Sequence, residues 1–211
     1  MGVAQIDQIV EKCRGRFLKL LEVFYTYKGI PKRWEVCPSR DSVAVLIYHR
    51  DRGELILVRQ FRLPLYLKNR DGFSYELCAG LQDKEGLTPV EVAKEEVEEE
   101  CGFQVPVERV RRITSTWGSL GTSASNQIIY YVEVTDRDRV SEGGGLPEED
   151  IELFYLKPEE LVQFATDDSR YQVSPGAKFA LFWWYSQIWP KIGGEGVAPA
   201  KIEKGKKGGD V

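Results

Sequence analysis

The sequence predicts an α/β (α+β) fold in which a mixed β-sheet is sandwiched between helices, with a small β element ahead of it at the N-terminus. Three observations carry this expectation. Short runs rich in Val, Ile, Leu and Tyr recur along the chain, bounded by Gly, Asp or Pro, as buried strands are. A segment opening at Thr88 has both the start and the stop signals of an amphipathic helix. A run rich in aromatic residues ahead of Pro190 reads as a further helix.

In chain order, residues 17–27 and 33–36 flank Lys28-Gly29-Ile30-Pro31, a hairpin turn between β-rich segments, so residues 1–40 are expected to form the N-terminal β element. Residues 42–48 and 54–61, separated by a turn from His49 to Gly53, read as two strands of the buried sheet. Further strands are expected at 73–78, 110–115, 127–134 and 151–156. At Thr88-Pro89-Val90-Glu91 a Thr N-cap, a Pro in the first helical position and a Glu three residues after the cap make a capping box, and Gly102 supplies the stop. Helices are also expected at 158–165 and 176–189. In the latter, Phe179, Trp183, Trp184 and Trp189 read as core or interface packing rather than a ligand cage. The main domain is thus placed at 41–192. Residues 193–211, with Gly, Lys and Pro and hardly an apolar side chain, are expected to be a disordered tail.

Composition narrows the chemistry. The chain has 211 residues, 42% hydrophobic and 29% charged, which suits one sizeable domain with modest appendages. A net charge of -4 offers no basic footprint for nucleic acid. The cysteines Cys13, Cys37, Cys78 and Cys101 form no Cys-x-x-Cys pair and His49 is the single histidine, which argues against a zinc site and for reduced thiols. No apolar run approaches the roughly 20 residues a bilayer span requires, and no signal peptide is evident, so no membrane association and a cytoplasmic location are expected. Without a Ser or Cys in a recognisable nucleophile setting, chemistry must rest on carboxylates, a metal, or both.

Between Glu95 and Glu100 five of six residues are Glu. Like charges three and four apart each cost a helix about 0.2–0.5 kcal/mol, so the run needs compensation. A solvated surface face is the general explanation of such runs. Helical geometry points elsewhere. At roughly 100° per residue Val90, Ala93, Val97 and Cys101 form one core-facing stripe. Glu96 and Glu100 border it and Glu99 lies about 80° further round, while Glu95 and Glu98 point away. Hard oxygen ligands crowded in this way are what Mg²⁺ takes, sharing its shell with waters and substrate phosphates; Mn²⁺ is the alternative ion.

With its preceding loop, the segment from Glu76 to Phe103 resembles the signature box of the Nudix hydrolases: Gly, five residues, Glu, seven residues, then Arg-Glu-U-x-Glu-Glu-x-Gly-U, with U aliphatic or aromatic. The ending matches from Glu96 to Phe103. Two positions depart: the loop is one residue longer, which leaves Leu87 where the first Glu belongs, and Glu95 stands where Arg is usual. That Arg normally braces the glutamates, so Lys94 or another base must substitute, or metal binding is weaker. Beyond the box, Trp34-Glu35, residues 41–46, 57–62 and 76–81 are similar to the nucleoside diphosphate sugar branch, in particular its UDP-sugar pyrophosphatases. A Gly-rich segment, Gly143 to Gly145, ahead of an acidic cluster belongs to the same likeness, as does Trp117-Gly118 where ADP-ribose pyrophosphatases tend to carry Pro.

What the resemblance implies is a Nudix fold and metal-dependent hydrolysis of a UDP-sugar to UMP and the sugar 1-phosphate. ADP-ribose hydrolysis and a Nudix-fold module that binds nucleotides without turnover are the alternatives. It implies Glu96, Glu99 and Glu100 as metal ligands joined by the Ala79 carbonyl, with Gly80 as the opening glycine. A loop carboxylate supplies a further ligand or the general base, Glu149 first and Glu148 second, with Glu99 also counted among the catalytic residues; a solvated turn is the competing reading of that acidic triplet. Arg62, Arg59 and Glu76 are placed at the substrate, Arg59 with a surface ion pair as its competing reading. Trp34 resembles an aromatic that stacks on the base across a homodimer interface built by the N-terminal strands, with simple packing as its alternative. The Gly- and Ser-rich loop 119–125 is a further candidate for closing over the sugar.

Overall fold

The computed structural model describes residues 3–146 and 149–193. The expected tail, apart from Gly193, and Glu148 lie outside the described residues. At the N-terminus β1 (Gln5–Arg14), β2 (Lys19–Tyr27) and β3 (Ile30–Val36) form a three-stranded antiparallel sheet. The hairpin turn is tighter than expected. It needs only Lys28 and Gly29, at φ 55° and 73°, the positive values that two-residue hairpins select. β1 has no counterpart in the sequence reading, because nine of its ten residues are exposed and no buried face marks it.

The second sheet holds β4 (Ser42–His49), β5 (Glu54–Phe61), β6 (Phe73–Glu76), β7 (Cys78–Leu81), β8 (Arg111–Gly118), β9 (Ser125–Val134) and β10 (Ile151–Leu156), in the order β10-β5-β4-β9-β8. The expected strand 73–78 is in fact two, broken at Leu77. The break follows from a fork in the sheet. β4 and β5 pair only from Ile47 to His49; beyond that β6 pairs with β5 and β7 with β4, filling the gap. β4 runs parallel to β9 over its whole length.

Alternate residues of the central strands enter two cores. Val43, Val45, Ile47, Ile56 and Val58 face α2 (residues Pro89–Cys101, with α1, Leu63–Asn69, preceding it in the chain). Ala44, Leu46, Leu55 and Leu57 face α3 (Leu161–Thr166) and α4 (Pro175–Gln187). A mixed sheet between helices is therefore observed. α1 was not foreseen; it is one exposed two-turn helix with no buried residue. The expected helix 158–165 opens as a 3₁₀ turn at Pro158–Glu160 before α3.

α2 begins and ends where its caps require: the Glu91 carboxylate accepts from the Thr88 N–H at 2.7 Å, and Gly102 closes the helix at φ 76°. In α4 Trp184 is fully buried and its indole N–H donates to the Tyr131 hydroxyl at 3.2 Å, so it joins helix to sheet through both packing and a satisfied polar group. Trp184→Ala should destabilise the protein by about 3–5 kcal/mol, read as a lower midpoint in urea unfolding.

Candidate active site

The site lies where the fork in the sheet meets the C-terminal half of α2. Ala93, Val97 and Cys101 are fully buried against the sheet, Val92 is buried with them, and Val90 packs partly buried against the same core. That packing sets the rotation of the helix. Glu96 and Glu100 then border the core, with Glu96 12% exposed along its side chain and Glu100 7% exposed overall, while the Glu99 side chain is half exposed. On the opposing strand the Ala79 N–H donates to Glu100 Oε2 at 3.0 Å. At Gly80 an added Cβ would lie 2.1 Å from Glu96 Oε1, so the opening glycine is required for the carboxylate to come this close to the strand.

Glu149 reaches the same place by a different route. Gly144 and Gly145 donate backbone N–H groups to the carbonyls of Glu100 and Glu99 at 2.8 and 3.1 Å, docking the Gly-rich loop on the end of α2. Cβ atoms at Gly102 and Gly143 would meet Ser141 O and Glu100 O at 2.2 and 2.4 Å. Gln60 Nε2, which the sequence reading missed, donates to the Glu149 carbonyl at 3.0 Å. The Glu149 carboxylate accepts from the Leu146 N–H at 2.8 Å, and its charge acts on Glu96, Glu100 and Arg62.

The pleat of β5 and β6 sorts the remaining candidates. Glu76 pairs with Val58 and shares its face toward α2, where both carboxylate oxygens accept from Arg62 at 2.8 and 3.0 Å and Ser74 Oγ donates to Oε1 at 2.5 Å. Burial alone would raise the Glu76 pKa, but the guanidinium and the hydroxyl outweigh it and hold it low. Arg59, one residue out of phase, lies on the opposite face. There it pairs with Glu152 at 2.6 Å and stacks 3.6 Å over the Phe73 ring, so the structure does not bring it together with the glutamates. Trp34 also lies apart, on the N-terminal sheet. It is 56% exposed, and its indole N–H donates to Gly121 O in the 119–125 loop at 2.8 Å. The two line a cavity of about 520 Å³ with Glu22, Arg33, Glu35 and Thr122.

The base that meets the glutamates is Lys84, not Lys94. From the loop between β7 and α2 its Nζ stands 2.8 Å from Glu95, 3.2 Å from Glu99 and 3.8 Å from Glu96. Even so, carboxylates outnumber bases here. Desolvation raises the Glu100 pKa to about 8, against the partial relief of the Ala79 N–H, and it raises Glu96 as well. An all-oxygen donor set, crowded and short of positive charge, fits a hard divalent cation.

A second group with ligand character, His49, Asp51 and Asp136, lies at the far end of β4. His49 Nδ1 accepts from the Arg52 N–H at 3.4 Å, and Nε2, buried and without a hydrogen-bond partner among the described residues, lies 3.3 Å from Asp136.

The shift at Glu100 has a thermodynamic consequence. Its folded-state value lies above the unfolded one, so the stability it contributes is complete below about 4.5, declines as pH rises, and is gone above about 8. In chelator, wild-type stability should fall across that window relative to Glu100→Gln, as measured by denaturant titration at several pH values.

The NUDIX domain family matches residues 38–176. The chain is 35% identical over 205 residues to the uridine diphosphate glucose pyrophosphatase of Bos taurus, covering 84% of this chain and 92% of that protein. A GDP-mannose pyrophosphatase of Pectobacterium atrosepticum is 34% identical over 134 residues, covering 63% of this chain and 67% of that protein. Among solved structures, one titled "Crystal structure of ADP compounds hydrolase" superposes with a TM-score of 0.68 at 19% identity, over 88% of this chain and 96% of the other. With a domain match over most of its length, and a glycine, a glutamate-rich helix and a docked loop carboxylate meeting at one fork of the sheet, the chain belongs to the Nudix family.

Proposed function

We propose that the protein hydrolyses the pyrophosphate of a nucleoside diphosphate sugar in a Mg²⁺-dependent reaction, converting UDP-glucose or a related UDP-sugar to UMP and the sugar 1-phosphate. The observation that carries this reading is the convergence of Glu96, Glu99, Glu100 and Glu149 beside the Arg62–Glu76 pair. The similarity to a uridine diphosphate glucose pyrophosphatase over most of both chains supports the choice of substrate.

Glu96, Glu99 and Glu100, with the Ala79 carbonyl and Glu149, would hold the metal. Divalent ions held there would supply charge to neutralise phosphoryl oxygens and to activate the attacking water. The protein's own groups do the rest. Glu149, on a loop docked to the end of α2, accepts the proton of the attacking water. Arg62, kept charged and oriented by Glu76, presents its remaining donors to a phosphate. Water adds to one phosphorus as the bond to the bridging oxygen breaks, and the two phosphate products leave. Trp34, with the loop at Gly121, stacks on the nucleobase. The large exposed apolar residues of the N-terminal sheet and its first connection, Ile6, Ile9, Phe17 and Ile30, form the contact of a homodimer.

Incubation with Mg²⁺ and UDP-glucose, GDP-mannose and ADP-ribose should give fastest turnover of UDP-glucose, with UMP and glucose 1-phosphate as products; faster turnover of either other substrate overturns the choice. Glu99→Gln and Glu100→Gln should each lower kcat by orders of magnitude. Light scattering should give twice the chain mass, and a monomer would remove the interface role of Trp34.

A further inference from the structure

Repulsion within the Glu95–Glu100 run is greatest where three carboxylates share one flank, yet Glu96 is nearly buried there. Two things confine it. Gly80 lets it lie against β7, and on its outer side stands Lys84. The lysine is itself anchored. Its loop is tied down by the Arg40–Asp83 ion pair, by the Gln82 N–H to Asp41 O at 2.9 Å, by Gln82 Nε2 to Ser42 O at 3.0 Å, and by the capped start of α2 at Thr88. Its shortest contact, 2.8 Å, is to Glu95, the outward-facing glutamate that is no ligand candidate, and its longest, 3.8 Å, is to the inner Glu96. A cation sitting in the metal's place would have the reverse order of distances. The ammonium therefore lies outside the ligand cluster and closes its open side.

We propose that Lys84 is a positioning residue: paired with Glu95, it holds Glu96 and Glu99 in the orientation in which they receive a divalent cation. The helix position where the signature box has its bracing Arg carries the acid of the pair, and the loop carries the base, so the brace is present with its charges exchanged. This inference rests on the metal reading of the glutamates given above.

The test is Mn²⁺ binding to the full chain, followed by electron paramagnetic resonance of the free ion, alongside the Mg²⁺ dependence of hydrolysis. Lys84→Met should weaken Mn²⁺ binding about 10–100-fold, the usual effect of losing a group that orients ligands. It should raise the Mg²⁺ concentration for half-maximal rate while leaving KM for the nucleotide sugar at saturating Mg²⁺ unchanged. Lys84→Arg should retain wild-type binding, and Glu95→Arg should recover much of what Lys84→Glu loses. Unchanged or tighter Mn²⁺ binding in Lys84→Met, or a double variant no better than Lys84→Glu alone, overturns the proposal. Thermal melting of each variant in chelator separates folding defects from binding ones, and Lys84→Arg keeps the proposal testable if Lys84→Met does not fold. Failure of the wild type to bind Mn²⁺ at all would instead overturn the metal reading.

Discussion

Burial of one helical stripe governs the site. With Ala93, Val97 and Cys101 sealed against the sheet, α2 has no freedom to rotate, because a shift of one residue, about 100°, would drive a glutamate into the core. Burial of Val97 alone contributes about 1.5–3 kcal/mol to that packing. The same lock places Glu96 and Glu100 at the boundary of core and solvent. Desolvation there is unfavourable to charge, and the protein offsets it locally, with one backbone N–H for Glu100 and one lysine beside Glu96. Such a site is held together by hydrophobic packing and strained by electrostatics, and on the proposed metal reading a bound cation would relieve the strain without disturbing the packing.

Much of this was legible before any coordinates. The limits of α2 follow from Thr88, Pro89, Glu91 and Gly102, residues whose local chemistry has a single structural meaning, and strands β4, β5 and β9 follow from their apolar runs. The segregation of Glu96, Glu99 and Glu100 from Glu95 and Glu98 came from helical period alone. What stayed hidden lacked a periodic signature. β1 is exposed on both faces, and α1 buries nothing. The break at Leu77 arises because β4 and β5 diverge, a tertiary event with no local cause. Lys84 was invisible for the same reason: eleven residues from Glu95 in sequence, it meets the helix only because its loop folds back. The strand pleat sends Arg59 to the face opposite Glu76, where it makes the surface ion pair that is its competing reading, while the pairing with Glu76 claims Arg62.

Two regions with different physics emerge. Around α2 the structure is tightly tied by buried carboxylates, backbone bonds and glycines that tolerate no Cβ. Around Trp34 it is open, built from an exposed aromatic, a cavity lined by both polar and apolar surface, and a loop held by single hydrogen bonds such as Cys37 N–H to Thr122 O at 3.0 Å.

The docking of Gly144 and Gly145 on the last carbonyls of α2 makes the helix and the Glu149 loop one mechanical body. A body of that kind transmits any displacement of the loop directly to the glutamates, so the loop has little scope to diversify. Residues on the Trp34 side of the molecule can, by contrast, be exchanged without moving the glutamates.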